Sequence, residues 1–123
     1  MPARHIYPFD KLRVWESARH LISEVYRVTK AFPRSETYGL TSQTNRAAVS
    51  VAANLAEGSS RTSRRDQAHF SQIAYGSLME LACLLIVAMD LDFLSAQQEA
   101  ALRQEIEFVS RQLHALRAAQ LSS

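Results

Sequence analysis

Cysteine, glycine and proline are scarce in this 123-residue chain, with one Cys, three Gly and three Pro. The lone thiol, Cys83, excludes a disulfide framework and a multi-cysteine zinc site, and fits a reducing cytoplasm. So little glycine and proline excludes a collagen-like or loop-rich chain. With 47% hydrophobic and 21% charged residues the chain is not disordered. Residues 1–9 lack an apolar core of signal-peptide length. The length holds one ordinary domain, 1–123.

Signatures of catalysis are also missing. There is no phosphate-binding Gly-rich loop, no nucleophile elbow and no His-Glu-x-x-His. None of His5, His20, His69 or His114 follows a Glu by three, as di-iron bundles require. Glu16 and His20, four apart, read as a surface pair. Cys83 lies in an apolar run with no nearby base and reads as a packing residue. Glu57 and Glu80 read as solvated or N–H-bonded rather than catalytic. The expectation is a non-enzyme with no metal and no cofactor.

What is present is helical periodicity. The spacing predicts four helices, at about 11–32, 41–57, 64–91 and 96–118, with loose ends at Met1 to Pro8 and Ala119 to Ser123. Asp10 is the expected N-cap of the first, whose stripe is Leu12, Trp15, Ile22, Val25, Thr29 and Phe32, flanked by Val14, Ala18, Leu21, Tyr26 and Val28. Pro33 stops it. The second is rich in Ala and Ser, either for close packing or for helix propensity alone, and Gly58 is its expected left-handed cap. Ser63 with Asp66, and Ser95 with Gln98, resemble capping boxes. The third helix is expected to bury Phe70, Ile73, Ser77, Leu81, Leu84, Ala88 and Leu91. The fourth places Leu102, Ile106, Val109, Leu113 and Leu116 on a narrow seam. No stretch alternates with period two, so the fold class is all-α, an up-down-up-down four-helix bundle.

One run, Leu81 to Met89, is apolar on every face. It falls short of the roughly 18–20 residues of a membrane span, so no membrane is expected. A bundle covers one side of a helix only. Either a second subunit covers Cys83, Ile86 and Met89, or the broad stripe of the first helix wraps them; the subunit is the simpler cover.

Charge is unevenly spread. Residues 1–65 carry 11 cations and 5 anions, and residues 66–123 carry 3 and 7. Twelve of the fourteen cations are Arg, which suits bidentate phosphate contacts, although a GC-rich genome gives the same bias. The topology gathers Arg4, Lys11, Arg13, Arg61, Arg64, Arg65, Arg111 and Arg117 at one end, against Asp10, Glu16, Glu57 and Asp66. Arg61, Arg64 and Arg65 stand at a helix start, where the dipole disfavours cations. With the loop serines and free backbone N–H groups they read as a phosphate cradle, or as a solvated loop pairing with Glu57 and Asp66. No aromatic interleaves these three Arg, so binding is expected to follow backbone and shape. Arg46 is the fallback site.

Four segments carry a family resemblance: Phe9-x-x-Leu12-x-x-Trp15-x-x-Ala18; Phe32-Pro33-x-x-Glu36-x-Tyr38-Gly39-Leu40-x-x-Gln43; Arg46-Ala47-Ala48-x-Ser50-Val51-x-x-Asn54-Leu55-Ala56-Glu57-Gly58; and Phe70-x-x-Ile73-Ala74-x-Gly76-Ser77-x-x-Glu80-Leu81. Together they resemble the four-helix-bundle proteins encoded in intervening sequences of bacterial 23S ribosomal RNA genes. The resemblance implies a cytoplasmic bundle assembling as a homopentamer. It also implies kinship with the accessory variability protein of diversity-generating retroelements, a basic pentamer that binds nucleic acid and a reverse transcriptase. Members often show two consecutive basic residues where this chain has Asn45-Arg46. The expected function is a non-enzymatic oligomer that binds structured RNA or a nucleoprotein partner; the alternative is an adaptor scaffold for a protein.

Overall fold

The computed structural model describes residues 2–122; the looseness expected of Met1 and Ser123 lies outside them. Among the described residues there are four α-helices and no strand: α1 (Arg13–Thr29), α2 (Leu40–Ser59), α3 (Arg64–Asp90) and α4 (Ala96–Leu121). Short 3-10 turns at Pro8–Lys11 and Arg34–Glu36 precede α1 and α2. Each helix packs on its chain neighbours, and α1 and α4 close the ring, so the four-helix bundle expected from periodicity is the observed fold.

Helix ends depart from expectation in four places. Asp10 does not cap α1: its carboxylate accepts the Tyr7 N–H at 2.8 Å and closes the 3-10 turn, leaving Leu12 as a cap without a side-chain bond. The α1 ladder stops at Thr29, and 3-10-type bonds carry the chain to Phe32 and Pro33. Gly58 is not a left-handed cap. It lies buried inside α2, which runs on to Ser59, and no glycine has positive φ among the described residues. The left-handed residue is Asp92 at φ 62°. It ends α3 with Phe93 N–H on Ala88 O and Asp92 N–H on Met89 O, a Schellman closure that does without glycine. The α4 helix continues past residue 118 to Leu121. The Ser95–Gln98 box is reciprocal, whereas Ser63 accepts the Asp66 N–H without the return bond.

The core is made by Leu21 and Val25 of α1, Val51 and Leu55 of α2, Leu78, Leu81 and Leu85 of α3, and Val109 and Leu113 of α4. Each such side chain contributes about 1.5–3 kcal/mol by leaving water. Of the stripe expected on α1, Val25 and Thr29 are buried, as is Phe32 just beyond it, and the flanking Val14, Ala18 and Leu21 join them, while Leu12, Trp15 and Ile22 are half-buried edges. On α3, Leu81 and Ala88 are buried as expected and Phe70, Ser77 and Leu84 are half-buried, but Ala74, Leu78 and Leu85 also point inward while Ile73 and Leu91 are exposed. On α2, Ala47, Ala48 and Ala52 are buried and Ala53 is exposed.

Each seam between adjacent helices carries a polar side-chain tie. Thr29 Oγ1 donates to Asn45 Oδ1 at 3.0 Å (α1–α2), and the Ser50 and Ser77 hydroxyls bond at 2.9 Å (α2–α3). Ser71 Oγ donates to Gln120 Oε1 at 2.7 Å (α3–α4). His20 Nε2 meets Glu105 Oε1 at 3.2 Å across α1–α4.

The outer surface of α3 is largely apolar, interrupted by the exposed Gln72, Glu80 and Asp90. Ile73, Met79, Ile86, Val87 and Leu91 are exposed along it, as is Cys83. As a whole α3 is long and apolar enough to cross a membrane by length and composition, with only 28% of its most apolar stretch buried. α1 does not wrap this surface, because α1 and α3 lie diagonally across the bundle.

Candidate nucleic-acid interface

The start of α1, the α2–α3 loop and the end of α4 meet at one end of the bundle. A groove of about 340 Å³ there is lined by Pro8, Lys11, Leu12, Ser59, Arg64, Gln67, Leu116, Ala119 and Gln120. A neighbouring groove of about 410 Å³ adds Arg13, Val14 and Gln112 and shares Lys11. Lys11, Arg13, Arg61, Arg64 and Arg65 therefore lie at one end, as the charge pattern anticipates. Arg46 is apart. It sits early on α2, about 20 Å of helix rise from Arg61, in a polar groove with Gln43, Ser50 and Glu80.

Within the 58–65 loop most polar groups turn to the protein's own backbone. Ser59 and Ser60 hydroxyls donate to Ala56 O and Glu57 O, both at 2.6 Å, and finish α2. Ser63 is spent on its cap. Arg61 pairs with Glu57 at 3.3 Å and lies 4.7 Å over the Phe70 ring. Arg64 donates to Ala119 O at 3.4 Å and Ser122 O at 3.2 Å, so its charge sits at the negative end of α4. The dipole conflict at the α3 start is thus offset for Arg64 by a favourable one at α4. The solvated-loop reading holds for Arg61 and Glu57. Asp66 takes no part among the described residues.

Lys11, Arg13 and Arg65 are exposed, and among the described residues none has a carboxylate within 4 Å. Arg111 faces Glu107 at 3.8 Å. Elsewhere Arg27 and Arg103 are paired with Glu24 and Glu99. Glu57 and Glu80 are exposed; the buried acid is Glu99, held by Arg103 Nε at 2.9 Å. On the α1–α4 seam burial raises the Glu105 carboxyl above its ordinary value, and Glu24 adds to this. His20 and Arg27 oppose the shift.

Sequence reasoning missed the aromatic groups at this end. Tyr7 stacks on Phe9 at 5.3 Å and 12°, Phe9 tilts onto Trp15 at 4.6 Å, and Arg19 lies 5.0 Å from the Trp15 ring centre. The signal was present: rings at 5, 7, 9 and 15 share a short segment with cations at 4, 11 and 13. Of the residues expected to lie between subunits, Cys83 and Ile86 are exposed and Met89 is half-buried.

The family model described as 23S rRNA-intervening sequence protein matches residues 10–115. No curated protein matches the chain.

Proposed function

The chain belongs to the family of 23S rRNA-intervening sequence proteins, and on that footing we propose that it is a non-enzymatic, homo-oligomeric bundle that binds structured RNA or a nucleoprotein partner through its basic end. The observation that carries this reading is that Lys11, Arg13 and Arg65 all stand at the same end of the bundle, exposed and without carboxylate partners among the described residues. Unpaired cations on a surface cost little in water and release counterions from a phosphate backbone on contact. Assembly supports the same reading. The exposed apolar face of α3 calls for a cover, and a ring, a homopentamer by the family's implication, repeats the basic end in every subunit. Avidity then multiplies a weak single-copy contact.

Retention of a folded RNA, measured against salt, tests the proposal. Binding at about 50 mM salt should fall with a log–log slope that counts neutralised phosphates. Lys11→Ala with Arg13→Ala and Arg65→Ala should flatten that slope, whereas Arg34→Ala at the far end should leave it unchanged. A wild-type protein that retains no nucleic acid at that salt sinks the proposal. The exposed apolar side chains of α3 then favour the adaptor scaffold whose partner is a protein.

A further inference from the structure

We propose that the N-terminal aromatic column is a stacking platform for unpaired bases, so that the nucleic acid held at the basic end is single-stranded at the point of contact. This rests on the reading of that end as a nucleic-acid interface, and it goes beyond backbone contact.

The column begins with Tyr7, which is 51% exposed although it stacks on Phe9. Phe9 and Trp15 are half-buried and back it from the bundle side, and Arg19 closes the far end of the column over the indole. The bond from Tyr7 N–H to Asp10 fixes the backbone at the ring's root. A rigid, supported ring with half its surface in water is an unusual arrangement for a chain end. It loses little entropy when a second flat group stacks on it. His5 shows how the site is occupied in the free protein. Its imidazole abuts Tyr7 edge-on at 5.0 Å and 70°, is exposed, and makes no side-chain hydrogen bond among the described residues. A base displaces it at small cost and gains a parallel contact.

The cations needed beside such a platform are in place. Arg4 precedes the column, and Lys11 and Arg13 lie between Phe9 and Trp15 in the chain, all exposed and unpaired among the described residues. Rings and cations side by side hold a strand by stacking and by its phosphates, without reading sequence. A duplex keeps its bases inside the stack and can use only the cations.

Trp15, the chain's single tryptophan, reports binding by fluorescence. The probes are a uridine oligomer of about 12 nucleotides, an abasic strand of the same length and an RNA duplex of that length. The uridine oligomer should bind more tightly than either of the others. Tyr7→Ala should weaken it about 5- to 100-fold and leave the abasic strand, the duplex and the salt slope unchanged. Tyr7→Phe should restore the affinity, because stacking needs the ring and not the hydroxyl. Tyr7 is exposed, so the melting temperature of the alanine variant should match wild type. Equal binding of all three probes, or a Tyr7→Ala variant that binds uridine as wild type does, overturns the platform and leaves the basic-end reading standing. Failure to bind any of the three overturns both.

Discussion

Gly58 of α2 and Phe70 of α3 touch so closely that a Cβ on the glycine would lie 2.7 Å from the Cβ of the phenylalanine. No left-handed turn is involved; the hydrogen atom is needed for helix contact. Gly58→Ala should therefore destabilise the protein by about 1–3 kcal/mol, read by urea unfolding, because the added methyl forces the helices apart. Gly76 makes the opposite case. Nothing lies within 4 Å of a Cβ built there. Gly76→Ala should raise stability by about 0.5–1 kcal/mol through helix propensity alone. A loss at Gly76 would show instead that another backbone covers it.

Arg64 and Arg65 are neighbours with separable roles. Arg64→Ala removes the bonds to Ala119 O and Ser122 O, and should cost about 0.5–1 kcal/mol while hydrogen exchange speeds up in the last turn of α4. Arg65→Ala should change stability by less than about 0.5 kcal/mol and weaken RNA retention. Loss of retention from Arg64→Ala alone, with α4 protection intact, would reverse the assignment.

The closing seam of the bundle should respond to pH. The Glu105 carboxyl is raised above its ordinary 4.5 chiefly by burial, so its ionised form disfavours the fold. That penalty is complete above the raised value and vanishes below 4.5. Glu105→Gln should melt higher than wild type at pH 7, and the difference should close as pH falls towards 4.5. A glutamine variant that melts lower at pH 7 would mean that the His20 contact outweighs desolvation.

The proposed assembly would use the outer face of α3. Light scattering during gel filtration should give several times 13.8 kDa, and five times if the family's ring holds. Ile86→Asp should split the assembly or precipitate the protein, since an unpaired charge buried between subunits costs several kcal/mol. A soluble wild-type monomer at micromolar concentration would end the oligomer proposal.

The helices and their order were legible because each seam repeats at helical spacing. On α4, Leu102, Ile106, Val109 and Leu113 are buried as read, with Leu116 half-buried, and the Ser95–Gln98 signal marks its start. The phase of α3 was not legible. A run that is apolar all round gives no polar face to set the angle, so Ile73 was exchanged for Ala74. Gly58 was misread because a glycine near a helix end signals a cap locally, while its partner Phe70 lies across a loop. The basic end could be read from charge and topology. That Arg64 turns to α4 depends on where α4 ends, which periodicity fixes poorly.

The four polar ties across the seams set the axial alignment of the bundle. Rows of leucine and alanine resemble themselves one turn along, so an apolar bundle tolerates a slip of about 5.4 Å at modest cost. Thr29–Asn45, Ser50–Ser77, Ser71–Gln120 and His20–Glu105 stand on four different seams. Moving any one helix by a turn breaks the ties on both its sides at once. Three of them join uncharged groups, so added salt leaves them intact. Registration of the helices is thereby uncoupled from ionic strength, the variable that governs grip on a phosphate backbone.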